Sequence, residues 1–184
     1  GTVLSIKSVT GSYSTSVTTG TDGSATLSAI PAGVYVVREE SVPEPYIVTN
    51  TEQTVALRPG KTSEVRFQDY QKPGLEILKK NIATGEPIEG VTYLIEQIDG
   101  SFSTSATTDG AGRIFLSNIP VGSYKVTEKN VPSHVILSEI PQEVYLEAGC
   151  TRTVTFFNAV KPSLTILKRN SITGDPLSNA KFHI

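Results

Sequence analysis

The sequence predicts an all-β protein built from tandem antiparallel β-sandwiches of about seven strands each. Three observations support this fold class. Apolar and polar residues alternate in short segments such as "YKVTE" and "TVTFF", which is the period of a strand with one buried face. Turn-forming residues separate these segments, and no segment shows a sustained helical period. The sequence also repeats itself at a fixed interval, which is typical of tandem domains.

The repeat has a period of 89 residues and needs no gap. Three pairs of similar segments begin at this spacing: Gly11 and Gly100, Ile30 and Ile119, and Leu75 and Leu164. In this register Gly1 corresponds to Gly90, so the first copy enters partway through a repeat. We therefore interpret residues 1–73 as a sandwich that lacks its opening strand, residues 74–162 as a complete sandwich, and residues 163–184 as the opening strand segment of a further repeat.

Two interpretations of this register remain open. The tail of one chain could complete the first sandwich of the next chain by adding a strand to its exposed edge. Alternatively, the sequence is a window of a longer polypeptide, in which the preceding repeat supplies the missing strand.

Seven strands are expected in order along the complete copy. Their ends follow from the turn formers "TGEP", "DG", "DGAG", "IPVG", "NVPS" and "EAG", whose Gly, Pro, Asn and Asp residues favour turns. Such closely spaced short strands are typical of a β-sandwich. The expected ranges are 75–80, 91–97, 101–107, 113–117, 123–129, 142–147 and 151–157.

Composition excludes several classes of function. The formal charge is −2 and charged residues make up 18% of the chain, so no nucleic-acid footprint or polybasic membrane contact is indicated. The single cysteine, Cys150, excludes an intrachain disulfide framework and a cysteine-based zinc site. His134 and His183 have no metal-ligand spacing. We expect no metal, no cofactor and no multi-turnover enzyme activity.

A lysine is predicted on the inner face of both opening segments. In "GLEILKKN" the side chains of Leu75, Ile77 and Lys79 share one face, because side chains alternate along a strand. The matching segment "SLTILKRN" places Lys168 in the same way. An unpaired buried charge is costly, so such a lysine needs an explanation. The residues alone leave three explanations open: an amine that snorkels to solvent, a Lys–Glu salt bridge, or a reactive group.

The ordered motifs resemble the Cna-B or SpaA-like domains of Gram-positive surface proteins and pilins. The resemblance covers the whole chain and rests on "LEILKKNIATGEPIEGVTY", "TTDGAGRIFLSNIPVGSYKVTE" and "TVTFFN". Ile119 stands where the family pattern has a leucine. The resemblance implies Ig-like or prealbumin-like sandwiches and an extracellular location, at the cell wall or cell surface of a Gram-positive bacterium.

The same resemblance implies an isopeptide bond between Lys79 and Asn158, promoted by Glu128. Burial would lower the pKa of the lysine, so that its neutral amine could attack the amide. A protonated Glu128 would hydrogen-bond the side-chain carbonyl of Asn158 and pass protons to the departing ammonia. Because a folded core holds the three groups together, the reaction would be effectively unimolecular.

In the first copy the corresponding glutamate is Glu39, but Asp69 stands where asparagine is expected. Asp–Lys crosslinks also belong to the implied family chemistry. Lys168 of one chain could therefore bond to Asp69 of its neighbour, with loss of water instead of ammonia. Such a contact between successive chains would be covalent.

These features predict a structural stalk or fibre repeat of a surface adhesin, pilus or filament. Its expected partners are neighbouring repeats or copies of itself, arranged head to tail. One alternative is a β-sandwich module that binds a glycan or a host protein, although its loops are short and poor in aromatic and Arg anchors. Another is an accessory domain of a secreted enzyme.

Overall fold

Thirteen strands and no helix are found in residues 1–49 and 51–182, the part of the chain that the computed structural model describes. Within these ranges there is accordingly no helix that could cross a membrane. The end of the predicted tail segment, His183 and Ile184, lies outside the described residues. The first six strands are β1 (Val3–Ser8), β2 (Ser14–Thr18), β3 (Gly33–Ser41), β4 (Tyr46–Ile47), β5 (Glu52–Leu57) and β6 (Tyr70–Gln71).

The complete copy contains all seven expected strands, and their ends differ from the expected ones by two residues or fewer. They are β7 (Gly74–Asn81), β8 (Thr92–Gln97), β9 (Ser103–Thr107), β10 (Arg113–Leu116), β11 (Gly122–Asn130), β12 (Gln142–Leu146) and β13 (Thr151–Asn158). Two sheets form, with strand orders β10-β7-β13 and β12-β11-β8-β9. The inner faces of both sheets supply the core, which includes Leu75, Ile77, Tyr93, Val126 and Phe156.

The strand β7 lies at the centre of its sheet and runs parallel to β13. The sequence predicted antiparallel strands throughout, and for this pair the prediction is wrong. A parallel pair needs a long crossover connection, and here the rest of the sandwich provides it. The first and last strands of the domain are consequently direct neighbours, and Lys79 lies opposite Phe156.

The first copy has a single four-stranded sheet with the order β2-β1-β3-β5, and β4 and β6 form a small separate pair. Its core is smaller, with Ile6, Tyr35 and Val37 buried. One detail is common to both copies. The hydroxyl of Tyr35 donates to the carbonyl of Pro31 at 2.9 Å, and the corresponding Tyr124 donates to the carbonyl of Pro120 at 2.8 Å.

The second sheet of the first copy is missing among the described residues. Residues 24–27 and 62–69 correspond to β10 and β13 but form no strand. Their counterparts in the complete copy both pair with β7, which lies between them, and the described residues of the first copy form no such strand. An open cavity of about 540 Å³ lies between these two segments of the first copy. We call it the strand groove, defined by residues 25–30 and 58–65 at its rims and by the inner face of the four-stranded sheet at its floor.

The tail also differs from its expected conformation. Residues 163–182 form no strand, and residues 163–169 are exposed. A strand needs partners for its backbone groups, and residues 163–167 make no backbone hydrogen bond to another segment within the described part of the chain. Its turn is nevertheless formed as in the complete copy. The amide of Asn170 donates to Asp175 at 2.8 Å, just as the amide of Asn81 donates to Glu86 at 2.8 Å.

The two copies should therefore differ in amide hydrogen exchange. In size-selected monomeric chain, amides of residues 24–27 and 62–69 should exchange roughly 100-fold or more faster than those of β10 and β13, because no sheet hydrogen bonds protect them. Exchange measured by mass spectrometry on matching peptides would test this difference. Equal protection of the two sets would contradict the described state of the first copy.

Candidate functional site

Lys79 is fully buried in the core of the complete copy, with no exposed surface. It follows Leu75 and Ile77 on the inner face of β7, as strand alternation predicted. Its Nζ lies 5.9 Å from the ring centre of Tyr93 and 5.7 Å from that of Phe156. Burial lowers the pKa of Lys79, and the hydrogen bond and charge of Glu128 partly oppose this shift. The amine is thus closer to neutrality than an exposed lysine.

Glu128 is the partner of this amine. It lies on β11 opposite Tyr93 of β8, and both side chains point into the core. Its Oε2 accepts a hydrogen bond from Lys79 Nζ at 2.5 Å and a second from the Tyr93 hydroxyl at 3.3 Å. A buried pair of this kind keeps its charges only because each is compensated by the other and by hydrogen bonds.

Asn158 reaches the other oxygen of the same carboxyl group. It ends β13, and its Nδ2 donates to Glu128 Oε1 at 2.5 Å. The backbone amide of Ser138 donates to that oxygen at 3.1 Å. The buried carbonyl oxygen of Asn158 has no hydrogen-bond partner within the described ranges. The expectation that Glu128 hydrogen-bonds this carbonyl is wrong for the ground state. All four groups around the Glu128 carboxyl act as donors, and Asn158 turns its NH₂ group, not its carbonyl oxygen, towards the carboxyl.

One carboxyl group therefore joins an amine and a carboxamide inside a closed core. Such an arrangement can move a proton between the two nitrogens, since both lie within hydrogen-bonding distance of its oxygens. No cluster of three or more His, Cys, Asp or Glu residues that could hold a metal ion occurs in residues 1–49 and 51–182. The alternative of a snorkelling lysine does not fit, because Lys79 has no exposed surface.

Tyr93 belongs to the site, although the sequence analysis did not select it. Burial, followed by the charge of Glu128, raises its pKa, so the hydroxyl keeps its proton and remains a donor. A tyrosine on the apolar face of a strand needs a partner for its hydroxyl, and this was the available signal. The corresponding residue in the first copy is Leu4, which has no such group.

The first copy places Glu39 and Asp69 near each other but without an amine. Glu39 is 3% exposed, and its Oε2 and the Oδ1 of Asp69 are buried without hydrogen-bond partners among the described residues. Burial and then the neighbouring carboxylate of Asp69 raise the pKa of Glu39 from its usual 4.5 to about 7. Lys168 is not brought to this pair, since it lies on the exposed tail.

A family model named SpaA, a prealbumin-like fold domain, matches residues 1–71 and 73–160. The chain belongs to this family. The match includes both copies and therefore every predicted site residue except Lys168. Among curated proteins, none matches the sequence.

Several solved structures are similar to this chain. The shaft pilin SpaA of Lactobacillus rhamnosus GG is 19% identical, with 90% of this chain and 95% of that chain covered and a TM-score of 0.50. The Bacillus anthracis TIE protein is 22% identical, with 88% and 30% covered and a TM-score of 0.48. The minor pilin GBS52 of Streptococcus agalactiae is 17% identical, with 92% and 87% covered and a TM-score of 0.46. The chain thus spans 30% of the length of the TIE protein.

The carboxyl pair of the first copy predicts a pH dependence of stability. Because the folded-state pKa of Glu39 is raised from 4.5 to about 7, the folded form holds a proton that the unfolded form releases in this range. The free energy of unfolding of the first copy should be highest below pH 4.5 and should fall by up to about 3 kcal/mol as the pH rises through 7.

Urea unfolding at a series of pH values from 4 to 8 would measure this change. Hydrogen exchange of the β1 and β3 amides would report the unfolding of the first copy. Glu39→Gln should remove the dependence, whereas Glu40→Gln, on the outer face of the same strand, should keep it. If the free energy of unfolding of Glu39→Gln changes with pH as it does in the wild type, another group is responsible.

Proposed function

We propose that this chain is a structural repeat segment of a Gram-positive surface fibre, such as a pilus or a stalk-like adhesin, whose sandwiches are stabilised by self-formed isopeptide bonds. The observation that supports it best is the convergence of Lys79 and Asn158, from the first and last strands, on the buried Glu128. Its location is the cell wall or cell surface. Its partners are neighbouring repeats or copies of itself in head-to-tail contact.

The comparisons support the structural part of this proposal. The SpaA match covers both copies, and a protein described as a shaft pilin has the same fold over nearly its whole length. A shaft repeats one fold along an axis, and tandem sandwiches joined by the short connection "QKPG" suit that role.

The proposed step joins Lys79 Nζ to the Cγ of Asn158. Lys79 first passes a proton to Glu128 Oε2 along their 2.5 Å hydrogen bond, which leaves a neutral amine. The amine attacks Cγ, and the bond from Cγ to Nδ2 breaks. Glu128 returns the proton to Nδ2, which leaves as ammonia, and then takes up the second proton of the amine nitrogen, which becomes the amide nitrogen. One N–C bond forms and one breaks, and the Glu128 carboxyl group ends protonated and neutral.

The bond would close a loop that contains most of the sandwich. On the chain-entropy model used for disulfides, a loop of about 80 residues contributes roughly 4–5 kcal/mol to the free energy of unfolding. It would also replace a buried ion pair, whose desolvation cost offsets much of its attraction, by a neutral amide. A protein exposed to heat and proteases outside the cell gains resistance to both in this way.

Intact mass under denaturing conditions tests the bond. The wild-type chain should be lighter than its sequence by one ammonia, and digestion should yield a branched peptide that joins Lys79 to Asn158. Glu128→Ala and Asn158→Ala should show the unmodified mass. The midpoint of thermal unfolding of the complete copy should then fall by roughly 15–30 °C, given the size of the lost loop constraint.

Lys80→Ala is the matched control, because Lys80 neighbours the reactive lysine but has the opposite strand parity. This variant should lose ammonia as the wild type does. The proposal fails if folded wild-type chain keeps its full mass, and the role of Glu128 fails if Glu128→Ala loses ammonia at the wild-type rate.

A further inference from the structure

We infer that the Tyr93 hydroxyl holds the Lys79–Glu128 pair in its charged form and thereby slows the joining of Lys79 to Asn158. Tyr93 is thus a positioning residue that sets where the proton of the pair lies, although none of its atoms enters the new bond. This inference rests on the proposed function, because the step that Tyr93 slows is the first step of the proposed reaction. It gives that reaction a residue that regulates its rate.

The Glu128 carboxylate has a full set of hydrogen-bond donors. Each carboxylate oxygen has two lone pairs and can accept two hydrogen bonds. Oε1 accepts from Asn158 Nδ2 at 2.5 Å and from the Ser138 amide at 3.1 Å. Oε2 accepts from Lys79 Nζ at 2.5 Å and from the Tyr93 hydroxyl at 3.3 Å. Since hydrogen bonds donated to a carboxylate favour its charged form, all four contacts stabilise the negative charge.

Tyr93 donates to the oxygen that must receive the lysine proton. In the proposed reaction Lys79 becomes a nucleophile only after its proton has moved to Oε2 of Glu128. A hydrogen bond to a charged oxygen is stronger than the same bond to a neutral one. The Tyr93 hydroxyl therefore loses part of its interaction when the proton arrives. It stabilises the charged pair relative to the neutral pair that reacts.

The surroundings of Tyr93 keep its hydroxyl in the donor role. Its side chain is fully buried, and its ring centre lies 4.8 Å from that of Phe156. Burial, followed by the charge of Glu128, raises the pKa of the hydroxyl, so it keeps its proton. The ring is fixed by packing, and the hydroxyl is thereby directed at the carboxylate.

The strand pairing at this position does not require a hydroxyl. In the first copy the corresponding residue is Leu4, which lies opposite Glu39 in the pairing of β1 with β3. Tyr93 lies opposite Glu128 in the pairing of β11 with β8. The hydroxyl of Tyr124, by contrast, donates to a backbone carbonyl, and the first copy keeps that contact. The Tyr93 hydroxyl thus contacts the reacting groups, whereas the Tyr124 hydroxyl serves the fold.

The Tyr93 hydroxyl consequently has two opposing effects. It compensates a buried carboxylate, which stabilises the sandwich before the bond forms. It also lowers the fraction of the pair that contains a neutral amine, which slows the attack. A site with one donor fewer would react faster, but from a less stable starting structure.

Tyr93→Phe tests the effect on the rate, because it removes the hydroxyl and keeps the ring. Full-length chain is recovered unfolded from inclusion bodies, its unbonded mass is checked, and it is refolded by dilution. Circular dichroism follows folding, and intact mass follows the loss of ammonia. The folded variant should lose ammonia roughly threefold to tenfold faster than the wild type, because a long hydrogen bond to a charged group contributes about that factor. A variant that only loosened the fold would react more slowly.

Tyr124→Phe is the matched control. It also removes a buried tyrosine hydroxyl from this core, but that hydroxyl donates to the Pro120 carbonyl at 2.8 Å and makes no contact with Glu128. Its rate of ammonia loss should equal that of the wild type or fall below it. An equal acceleration in both variants would contradict a specific effect of Tyr93.

A second measurement reports the charge of Lys79 directly. In the Asn158→Ala background no bond can form, and the ¹⁵N chemical shift of Lys79 Nζ distinguishes an ammonium group from an amine. Adding Tyr93→Phe should move this shift towards that of the amine. Adding Tyr124→Phe should leave it unchanged.

The outcomes separate this inference from the proposed function. An unchanged or lower rate of ammonia loss in folded Tyr93→Phe overturns the inference, and so does an unchanged nitrogen shift of Lys79. Folded wild-type chain that keeps its full mass contradicts the proposed function instead. In that case the nitrogen shift still decides whether Tyr93 holds the pair in its charged form.

Discussion

The position of the opening strand is the constraint on which the rest of the structure depends. In the complete copy β7 pairs with β10 on one side and β13 on the other, so its backbone groups are satisfied along both edges. The first copy has segments of the same kind at residues 24–27 and 62–69, yet neither is a strand. In the complete copy the central strand thus holds β10 and β13 in one sheet and supplies Leu75 and Ile77 to the core.

Burial of Lys79 imposes the second requirement. An ammonium group in an apolar core needs an opposite charge, and that charge needs further donors of its own. Glu128 meets the first need, and Tyr93, Asn158 and the Ser138 amide meet the second. The same arrangement that makes the ion pair tolerable brings an amide beside an amine. The contacts that stabilise the buried ion pair are thus the same contacts that bring the amine and the amide close together.

Much of this organisation could be predicted from the sequence, and the exceptions have a common cause. Strand positions in the complete copy followed from alternation and turn residues, which are local signals. Strand parity placed Lys79 inside, and the resemblance pointed to Glu128 and Asn158, which the structure brings to one place. The parallel pairing of β7 with β13 was missed, and so was the absence of strands at residues 24–27 and 62–69. Whether a segment is a strand depends on its neighbours in the sheet, and no local pattern contains that information.

The contribution of Tyr93 was missed for a related reason. Its hydroxyl matters because β8 lies beside β11, a pairing that the sequence does not state. The orientation of the Asn158 amide was also beyond the sequence, because it depends on how many donors already surround Glu128. The hydrogen bonds of buried polar groups depend on all the donors and acceptors around them, and no single residue in the sequence specifies that set.

The parallel pairing of β7 and β13 has a mechanical consequence. The chain enters the complete sandwich at Gly74 and leaves it after Asn158, and these points lie at opposite ends of two adjacent strands. A pull on the chain therefore loads this ladder in shear, so that its hydrogen bonds must yield together and cannot be unzipped one at a time. In a row of such sandwiches, each domain would resist extension at the pair of strands where force enters and leaves.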